Sequence, residues 1–301
     1  MDNKQVIIIV SAVFSILLII CIIFVVLYKC PIETEHIPYF DKKILSNEHF
    51  NGSYLNNDII ARRVKKKGFH KNLQIRDHDS KWKDIVFGNK NFYEEDPRIF
   101  KTNDHLYPYI IMWTQVNSMN YKEKSIMLFA SLLDIGKNSI TIIKLYDPEN
   151  PKSIQKNWIL LNADNIHDTH WVQWFGPVYK TIRVNMFTGE IKEGWKTKGI
   201  ANLRGGSPLF EYNNKLYGVC HITKYFPRKI SLQLIEIDNK IPYKISRISK
   251  EFTFTKNPTY EFPCGIKFDG IFVYILLGIN DTSLVEIKMK IKDFIGNLTN
   301  I

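Results

Sequence analysis

One long apolar run dominates the N-terminal part of the chain. Val6 to Leu27 contains no charged residue, and at ~1.5 Å per residue it matches the roughly 30 Å of a bilayer's hydrocarbon core. The run is longer than that of a cleaved signal peptide, and no small-residue cleavage site follows it. The pattern predicts a transmembrane signal anchor over residues 6–28, preceded by a short tail of residues 1–5.

The polar and apolar pattern changes after the predicted anchor. Residues 29–55 include Pro31 and Pro38, carry mixed charges and show little periodicity, which is typical of a stalk. From residue 56 onwards, short β-branched or aromatic runs are bounded by Asn, Asp, Gly or Pro, a pattern of strands and turns. No run there has the length and 3.6-residue period of a helix. We therefore expect an all-β domain over residues 56–301.

One hairpin design recurs along this domain. Each copy has an apolar strand, a short turn and a second strand, and the copies open at Asp96, Asn157, Ser207 and Cys264. They follow one another at intervals of about 50 to 60 residues, the length of a four-stranded blade with its connections. Residues 54–88 supply an earlier copy. The repeat predicts a five-bladed β-propeller in which the earliest strand closes the ring against the last.

Composition and charge limit the classes of partner that the chain could bind. Hydrophobic residues make up 45% of the chain and charged residues 24%, which excludes wholesale disorder. The aromatic share of 13% favours strands and surfaces on which sugars stack. The net charge is +11, with a basic cluster at residues 62–67, but no nucleic-acid-binding motif accompanies it. The cluster is either a solvated surface or an attraction for anionic lipid, phosphate or sugar nucleotide.

Cysteine, histidine and glycine spacings give little support to other chemistries. Four cysteines are too few for a disulfide framework in a chain of this length, so buried thiols are expected, with a Cys220–Cys264 disulfide left open. The His-Asp-Thr-His run at residues 167–170 could bind a metal, but an exposed turn is the favoured interpretation. Zinc spacing, a phosphate-binding glycine loop and a nucleophile elbow are all missing. We expect no metal and no cofactor.

The innermost strands of a propeller face one central channel, so residues at the hairpin openings converge in space. Carboxylates there could bind hydroxyls or transfer protons, and cations could neutralise an anionic group on a sugar. The residues brought together in this way are Glu95, Asp96, Arg98, Lys156, Asn157, Trp158, Arg204, His221, Glu261, Asn280 and Asp281.

Structural roles are the alternative for several of these residues. Asp96 and Arg98 could form a local salt bridge across Pro97, and His221 could be a buried structural histidine. Gly205-Gly206 could serve only a tight strand entry. The tryptophans fit core packing better than sugar stacking, and they are Trp158, Trp171 and Trp174.

The order of these motifs resembles one enzyme family. Five-bladed propeller glycosidases, above all the mannoside phosphorylases and the related β-mannosyltransferases, are similar to this chain from about Asn57 to Lys290. The matching segments are Glu95–Arg98, Lys156–Trp158, Arg204–Pro208, Cys220-His221, Glu261–Gly265 and Gly278–Asp281. The resemblance implies an inverting, single-displacement reaction that moves a mannosyl-type unit to or from phosphate or a sugar hydroxyl.

The resemblance also implies residue roles. Asp96 and Arg98 would contact the sugar, Arg204 and His221 would contact phosphate, and Asn280 with Asp281 would close the ring of polar contacts. The other substrate-binding candidates are Glu95, Lys156, Asn157, Trp158 and Glu261.

One departure from the family concerns the catalytic acid. Where the phosphorylases have a Lys-Asp pair, this chain has Lys156-Asn157, and an amide cannot donate a catalytic proton. Asp96 is then the first candidate for the catalytic carboxylate, and Asp281 is the alternate. Otherwise the site transfers from an activated donor, or it only binds.

The sequence thus predicts a membrane-anchored carbohydrate-active enzyme acting on mannose-type sugars, as a glycosyltransferase or a glycoside hydrolase or phosphorylase. Its partners would be a carbohydrate, sugar phosphate or sugar nucleotide, and the membrane through residues 6–28, with the domain on the lumenal or extracytoplasmic side. The alternative is a non-catalytic propeller that displays a glycan- or protein-binding surface, which Asn157 favours.

Overall fold

The computed structural model describes residues 13–20, 35–37, 39–46, 49–54, 60–65, 71–76, 82–85, 92–104, 107, 109–117, 126–134, 139–145, 157–225, 228–256 and 260–301. The chain divides into two compact units, residues 1–34 and 35–301.

In the first unit, residues 13–20 are helical and their side chains are exposed. The rest of the predicted membrane segment 6–28 lies outside the described residues. Within the part of the chain that is described, no helix is both long enough and apolar enough to cross a membrane. The transmembrane anchor therefore stays a prediction.

The second unit consists of five sheets built mainly from antiparallel pairs. The first three, each of four strands in chain order, are as follows. Sheet one contains β3 (His49–Tyr54), β4 (Ile60–Lys65), β5 (Lys71–Arg76) and β6 (Trp82–Ile85). Sheet two contains β7 (Phe92–Lys101), β8 (Tyr109–Asn117), β9 (Ile126–Asp134) and β10 (Ser139–Leu145). Sheet three contains β11 (Ile159–Asn162), β12 (Thr169–Trp174), β13 (Val178–Val184) and β14 (Ile191–Lys198).

The last two sheets also include the two ends of this unit. Sheet four is built on β15 (Leu203–Arg204), β16 (Phe210–Tyr212), β17 (Lys215–Tyr225), β18 (Arg228–Asp238), β19 (Ile245–Ile248) and β20 (Phe252–Thr253). It gains the short strands β1 (Glu35–His36) and β24 (Thr299–Asn300). Sheet five contains β21 (Glu261–Phe268), β22 (Phe272–Ile279), β23 (Ser283–Lys290) and β2 (Asp41–Ser46). A helix, α1 (Ile291–Gly296), follows β23.

These five sheets are the blades of a propeller, and the prediction of an all-β fold is confirmed. Each predicted hairpin opening lies in, or next to, the strand that begins its blade, as Asp96 does in β7 and Cys264 in β21. The strands consist mainly of apolar residues because neighbouring blades cover both of their faces. In β22, for example, five of the eight residues are buried.

The ring closes through the N-terminal end of the second unit. β2 pairs antiparallel with β23, from Asp41 opposite Lys288 to Ser46 opposite Leu284, so an early strand completes the last blade. This agrees with the predicted closure, but it corrects the predicted stalk over residues 29–55. Residues 41–46 and 49–54 are hydrogen-bonded strands of blades five and one, and the second unit begins at residue 35 rather than 56. Two prolines ahead of β2 and the mixed charges of residues 29–55 had the appearance of a linker.

The described core lies between successive blades. Phe100, Ile110, Trp171 and Ile182 pack between blades two and three, with the rings of Phe100 and Trp171 edge to face at 5.1 Å. A second cluster joins blades three and four, and the largest joins blades four and five. Face-to-face packing of this kind fixes the inner strands of neighbouring blades against one another.

Backbone irregularities aim the inner strands at the propeller axis. The ladders shift register between Phe50 and Gly52, between Glu95 and Arg98, and between Pro263 and Gly265. Such bulges bend a strand and re-aim its side chains. As a result the Gly52 amide donates a hydrogen bond to the Cys264 sulfur at 3.0 Å, and the Ile99 amide donates to the Ser53 hydroxyl at 3.0 Å.

Candidate functional site

Arg98 occupies the centre of the propeller and contacts three other blades. Its side chain is 3% exposed. Nε donates to the carbonyl of Gly206 at 2.5 Å, and Nη2 donates to Oδ1 of Asn157 at 3.0 Å. The guanidinium also lies 5.3 Å from the ring centroid of Phe262. Burial lowers the pKa of Arg98, and the charge of Asp96 opposes that shift. Arg98 thus fixes the Asn157 amide and the backbone at residue 206.

Asp96 lies beside this cation, in the bulge of β7. It is 6% exposed and has a left-handed backbone with φ of 53°, a conformation that Asp tolerates better than most residues. Its charge opposes the lowering of the Arg98 pKa, and it adds to burial, the main cause, in raising the pKa of Cys264. The structure therefore brings a buried carboxylate and a buried guanidinium together at the axis.

A cavity of about 450 Å³ opens where blades three and four meet. Its lining combines amides, aromatic rings and one cation, Arg204, which is exposed. Among the described residues, no carboxylate lines it. Aromatic faces with a few polar donors are the usual composition of a site for a small polar molecule. The lining residues are Asn157, Gln173, Trp174, Phe175, Gly176, Pro177, Asn202, Leu203, Arg204 and Gly205.

Close backbone approach at Gly205 and Gly206 shapes one wall of this cavity. A Cβ on Gly205 would lie 2.0 Å from the carbonyl oxygen of Asn157, and one on Gly206 would lie 2.1 Å from that of Val219. Any side chain would push the segment away from its neighbours. The two glycines therefore do more than permit strand entry, because they hold Arg204 beside Asn157.

His221 lies behind Arg204. The two residues are register partners in the β15–β17 pair, but His221 is 2% exposed whereas Arg204 is exposed. The imidazole packs against Phe262 with ring centroids 5.0 Å apart, and Phe262 in turn contacts Arg98. His221 thus belongs to the packed layer that supports the cavity wall.

Comparison with known proteins gives the same fold. No protein-family model and no curated protein sequence matches the chain. Among solved structures, a β-1,2-mannobiose phosphorylase from Listeria innocua, in complex with β-1,2-mannobiose, is 11% identical. The match covers 86% of this chain and 94% of the other, with a TM-score of 0.58.

Two further structures agree. A mannose phosphorylase from Leishmania mexicana, in complex with phosphate ion, is 12% identical over 88% of this chain and 92% of the other, with a TM-score of 0.55. A glycosyl hydrolase from Bacteroides ovatus is 13% identical over 87% and 93%, with a TM-score of 0.54. The chain has the fold of the propeller mannoside phosphorylases.

The structure groups five of the predicted site residues at the axis and the cavity, which are Asp96, Arg98, Asn157, Arg204 and His221. Asn157 and Arg204 line the cavity itself, and the other three lie at the axis or behind its wall.

Glu261 and Trp158 have structural surroundings. Glu261 is fully buried, and its carboxylate accepts hydrogen bonds from the Phe254 amide at 2.8 Å, the Thr255 amide at 2.6 Å and the Thr255 hydroxyl at 2.5 Å. Trp158 is 1% exposed in the core cluster between blades two and three. Neither residue lines the cavity.

Asn280 and Asp281 lie in the exposed turn between β22 and β23. Both have left-handed backbones, and the Thr282 amide closes the turn onto the Ile279 carbonyl at 2.9 Å. The Asn280 side chain accepts a hydrogen bond from the Tyr260 amide at 3.1 Å. Glu95 is in β7, but its side chain lies outside what is described, as does the whole of Lys156.

The thiols and the histidine run have ordinary partners. Cys220 and Cys264 are buried free cysteines, so they form no disulfide, and burial raises the pKa of Cys264 to about 12. His170 Nδ1 lies 2.8 Å from the Tyr243 hydroxyl, and Asp168 pairs with Arg183. Across the described part of the chain, no three His, Cys, Asp or Glu side chains are placed to hold a metal ion.

Sequence reasoning missed four residues of the cavity lining, which are Gln173, Trp174, Phe175 and Asn202. Gln173 and Trp174 end β12, Phe175 follows it, and Asn202 precedes β15, so none lies in an innermost strand. No local signal places these residues at a cavity, and for Trp174 the sequence favoured core packing over sugar stacking.

Proposed function

We propose that this propeller is a carbohydrate-active protein that binds a mannose-type sugar or sugar phosphate in the cavity between blades three and four. The observation that carries the proposal is the pairing of Asn157 and Arg204 on one wall with Trp174 and Phe175 in the same lining. Structural neighbours whose complexes contain β-1,2-mannobiose or phosphate support this ligand class.

Hydrogen-bond chemistry defines the ligand group that suits this wall. Arg98 has only donors, so the Asn157 atom that it contacts must be the amide oxygen. Asn157 therefore has its N–H donors left for other partners, and Arg204 also has only donors. Oxygen atoms of a phosphate or of sugar hydroxyls are the acceptors that complement such a wall.

Glycosyl transfer from an activated donor is the second candidate function, and the position of Asp96 favours it. Asp96 is a carboxylate beside the Arg98 guanidinium at the axis, and a carboxylate can act as a general base. An acceptor hydroxyl that reaches the axis from the cavity could give its proton to Asp96 while an already good leaving group departs. Asn157 cannot protonate a leaving group, so this reaction fits the residues better than phosphorolysis.

Membrane anchoring is proposed from the sequence. Residues 6–28 would hold the protein as a single-pass anchor, with the propeller on the lumenal or extracytoplasmic side. Alkaline extraction of membranes tests the anchor and protease protection tests the side. Release of the full chain by alkali would overturn the anchor. Digestion of the propeller by protease added to the cytoplasmic side of sealed membranes would overturn the predicted side.

Calorimetric titration of the full chain in detergent tests the binding site. Mannose, β-1,2-mannobiose, mannose 1-phosphate and a mannose nucleotide form the ligand panel. We expect Arg204→Gln to weaken binding of the phosphorylated ligands about tenfold or more, since a charge-assisted hydrogen bond contributes roughly 1.5–3 kcal/mol.

Lys192→Gln removes the same charge from an exposed residue of blade three that pairs with Glu190 at 3.6 Å, and it should leave binding unchanged. Absence of binding by every member of the panel, or equal loss in both variants, would overturn the proposed site.

Incubation with the same donors and sugar acceptors, read by mass spectrometry, tests the transfer reaction. We expect a glycosylated acceptor with the unaltered chain and no product with Asp96→Asn, while ligand binding stays within a few-fold. Product formation by the variant at the original rate would remove Asp96 from the reaction.

A further inference from the structure

One end of blade five exposes apolar side chains that the rest of the sheet buries. Phe40 and Ile271 are 60% and 64% exposed. Phe40 immediately precedes β2, and Ile271 follows the Asp269-Gly270 turn between β21 and β22. The ring of Phe40 lies 5.1 Å from that of Phe272, so the exposed surface is continuous across two strands.

Lysine side chains are held over these rings. Lys288 Nζ lies 4.1 Å from the centroid of Phe272 and 5.4 Å from that of Phe40, and Lys290 Nζ lies 5.7 Å from that of Phe40. The exposed Lys292 follows two residues later, and the neighbouring Ile291 amide bonds the Ile271 carbonyl at 3.0 Å. We call this surface the lysine–aromatic patch, and it comprises Phe40, Ile271, Phe272, Lys288, Lys290 and Lys292.

Carboxylates lie among the lysines of the patch and at its margins. Asp269 accepts bonds from the Ile271 amide at 2.9 Å, the Phe272 amide at 2.7 Å and the Tyr274 hydroxyl at 2.8 Å, so it holds the turn. Asp41 and Asp293 are exposed at its margins. The three lysines of the patch are joined on the same face of the sheet by one exposed lysine of β2, Lys43.

We propose that the lysine–aromatic patch binds the anionic surface of a lipid bilayer. Aromatic rings and aliphatic side chains are stable at the depth of lipid headgroups, and lysines extend their ammonium groups to lipid phosphates. Each lysine near an anionic membrane contributes about 1 kcal/mol. Only residues 29–39 separate the predicted membrane segment from Phe40, so a bilayer holding that segment is within reach.

Vesicle flotation with the fragment 35–301 tests this proposal. This fragment is one compact unit with all the described core clusters, and it lacks the apolar run that would insert into any bilayer. We expect it to bind vesicles of phosphatidylcholine with phosphatidylserine and not vesicles of phosphatidylcholine. Binding should fall as ionic strength rises from ~0.1 M to ~1 M, because the screening length shortens from about 10 Å to about 3 Å.

Variants identify the surface. Replacing Lys288, Lys290 and Lys292 together with Gln should weaken binding on the order of a hundredfold, since 1 kcal/mol per lysine is about fivefold each. Replacing the same three lysines with Arg keeps the positive charges, so that variant should still bind the anionic vesicles. The matched control replaces Lys192, Lys196 and Lys198, three exposed lysines of β14 in another blade, with Gln. Thermal melts establish that each variant is folded.

Three results would overturn the proposal. The first is equal binding to neutral and anionic vesicles, and the second is retained binding by the folded triple Gln variant. The third is a dimer of the fragment that Phe40→Ser dissociates, because the patch would then be an interface between copies of the chain.

Discussion

At the scale of single residues, the Arg98–Asn157 contact determines what the centre of the propeller can do. The guanidinium accepts no hydrogen bond, so it binds the Asn157 amide oxygen and leaves the NH₂ donors of that residue for a ligand. Glu261, another predicted binding residue, instead has its carboxylate bound to the Phe254 and Thr255 backbone. The sequence gives the residue types at these positions, but it does not show which groups their side chains hydrogen-bond.

Asn157→Asp should not create a phosphorylase. An aspartate in this position would accept the Arg98 hydrogen bond, and the guanidinium would hold it ionised and unable to donate a proton. We expect mannose 1-phosphate release from β-1,2-mannobiose and phosphate to stay at background. Asn202→Asp, in the same cavity lining and also with a left-handed backbone, is the matched control. Phosphorolysis by the Asn157 variant would show that Arg98 does not control this position.

Glu261→Gln should destabilise the fold by about 1–3 kcal/mol, because an amide cannot accept three hydrogen bonds where its NH₂ faces donors. Burial raises the pKa of Glu261 in the folded state. Its protonation therefore favours folding at low pH, and this contribution is lost as pH rises through the folded pKa.

Urea unfolding across the acidic range measures the effect of Glu261. The decline in stability just above the ordinary glutamate pKa should disappear in the Gln variant. Unchanged stability together with lost ligand binding would instead make Glu261 a binding residue.

At the scale of elements, the site depends on how the innermost strands deviate from regular pairing. The hairpin openings were visible in the sequence because apolar runs and turn residues alternate there. The bulge at Asp96 was not visible. Gly205-Gly206 suggested a tight strand entry, but the sequence did not show which neighbouring blade supplies the facing backbone. For the same reason Gln173 and Trp174, which reach the cavity from a second strand, had no local signal.

Gly205→Ala should displace β15 from blade three, because the new Cβ would meet the Asn157 carbonyl oxygen at 2.0 Å. We expect a loss of stability of about 1–3 kcal/mol and weaker binding of phosphorylated sugar. Gly296→Ala is the control, since a Cβ there meets nothing within 4 Å. Thermal melts with and without ligand give both quantities, and equal effects of the two changes would contradict the close-packing account.

At the scale of the whole molecule, the propeller is held closed by the pairing of β2 with β23. The repeat length predicted the five blades and the closing strand, because each blade is a local unit whose length shows in the chain. The predicted stalk was wrong for residues 41–46 and 49–54. β2 is an outermost strand, whose free edge tolerates polar residues. β3 is the innermost strand of blade one, where the polar Ser53 accepts a hydrogen bond from the Ile99 amide of blade two.

Removing residues 1–46 should weaken the ring far more than removing residues 1–34. The longer deletion takes away β2 and its hydrogen bonds to β23, at ~1 kcal/mol each. With roughly 2–4 °C per kcal/mol for domains of this size, Tm should fall on the order of 10 °C. Calorimetry of the two fragments measures it, and equal Tm values would show that β2 does not close the ring.

A crystal structure of the chain with the tightest-binding ligand of the mannose panel tests the central claim most directly. The account predicts a phosphate or hydroxyl oxygen within hydrogen-bonding distance of both Arg204 and the Asn157 amide nitrogen, with the sugar against Trp174 or Phe175. A ligand held elsewhere on the propeller, with this cavity filled only by water, would contradict it.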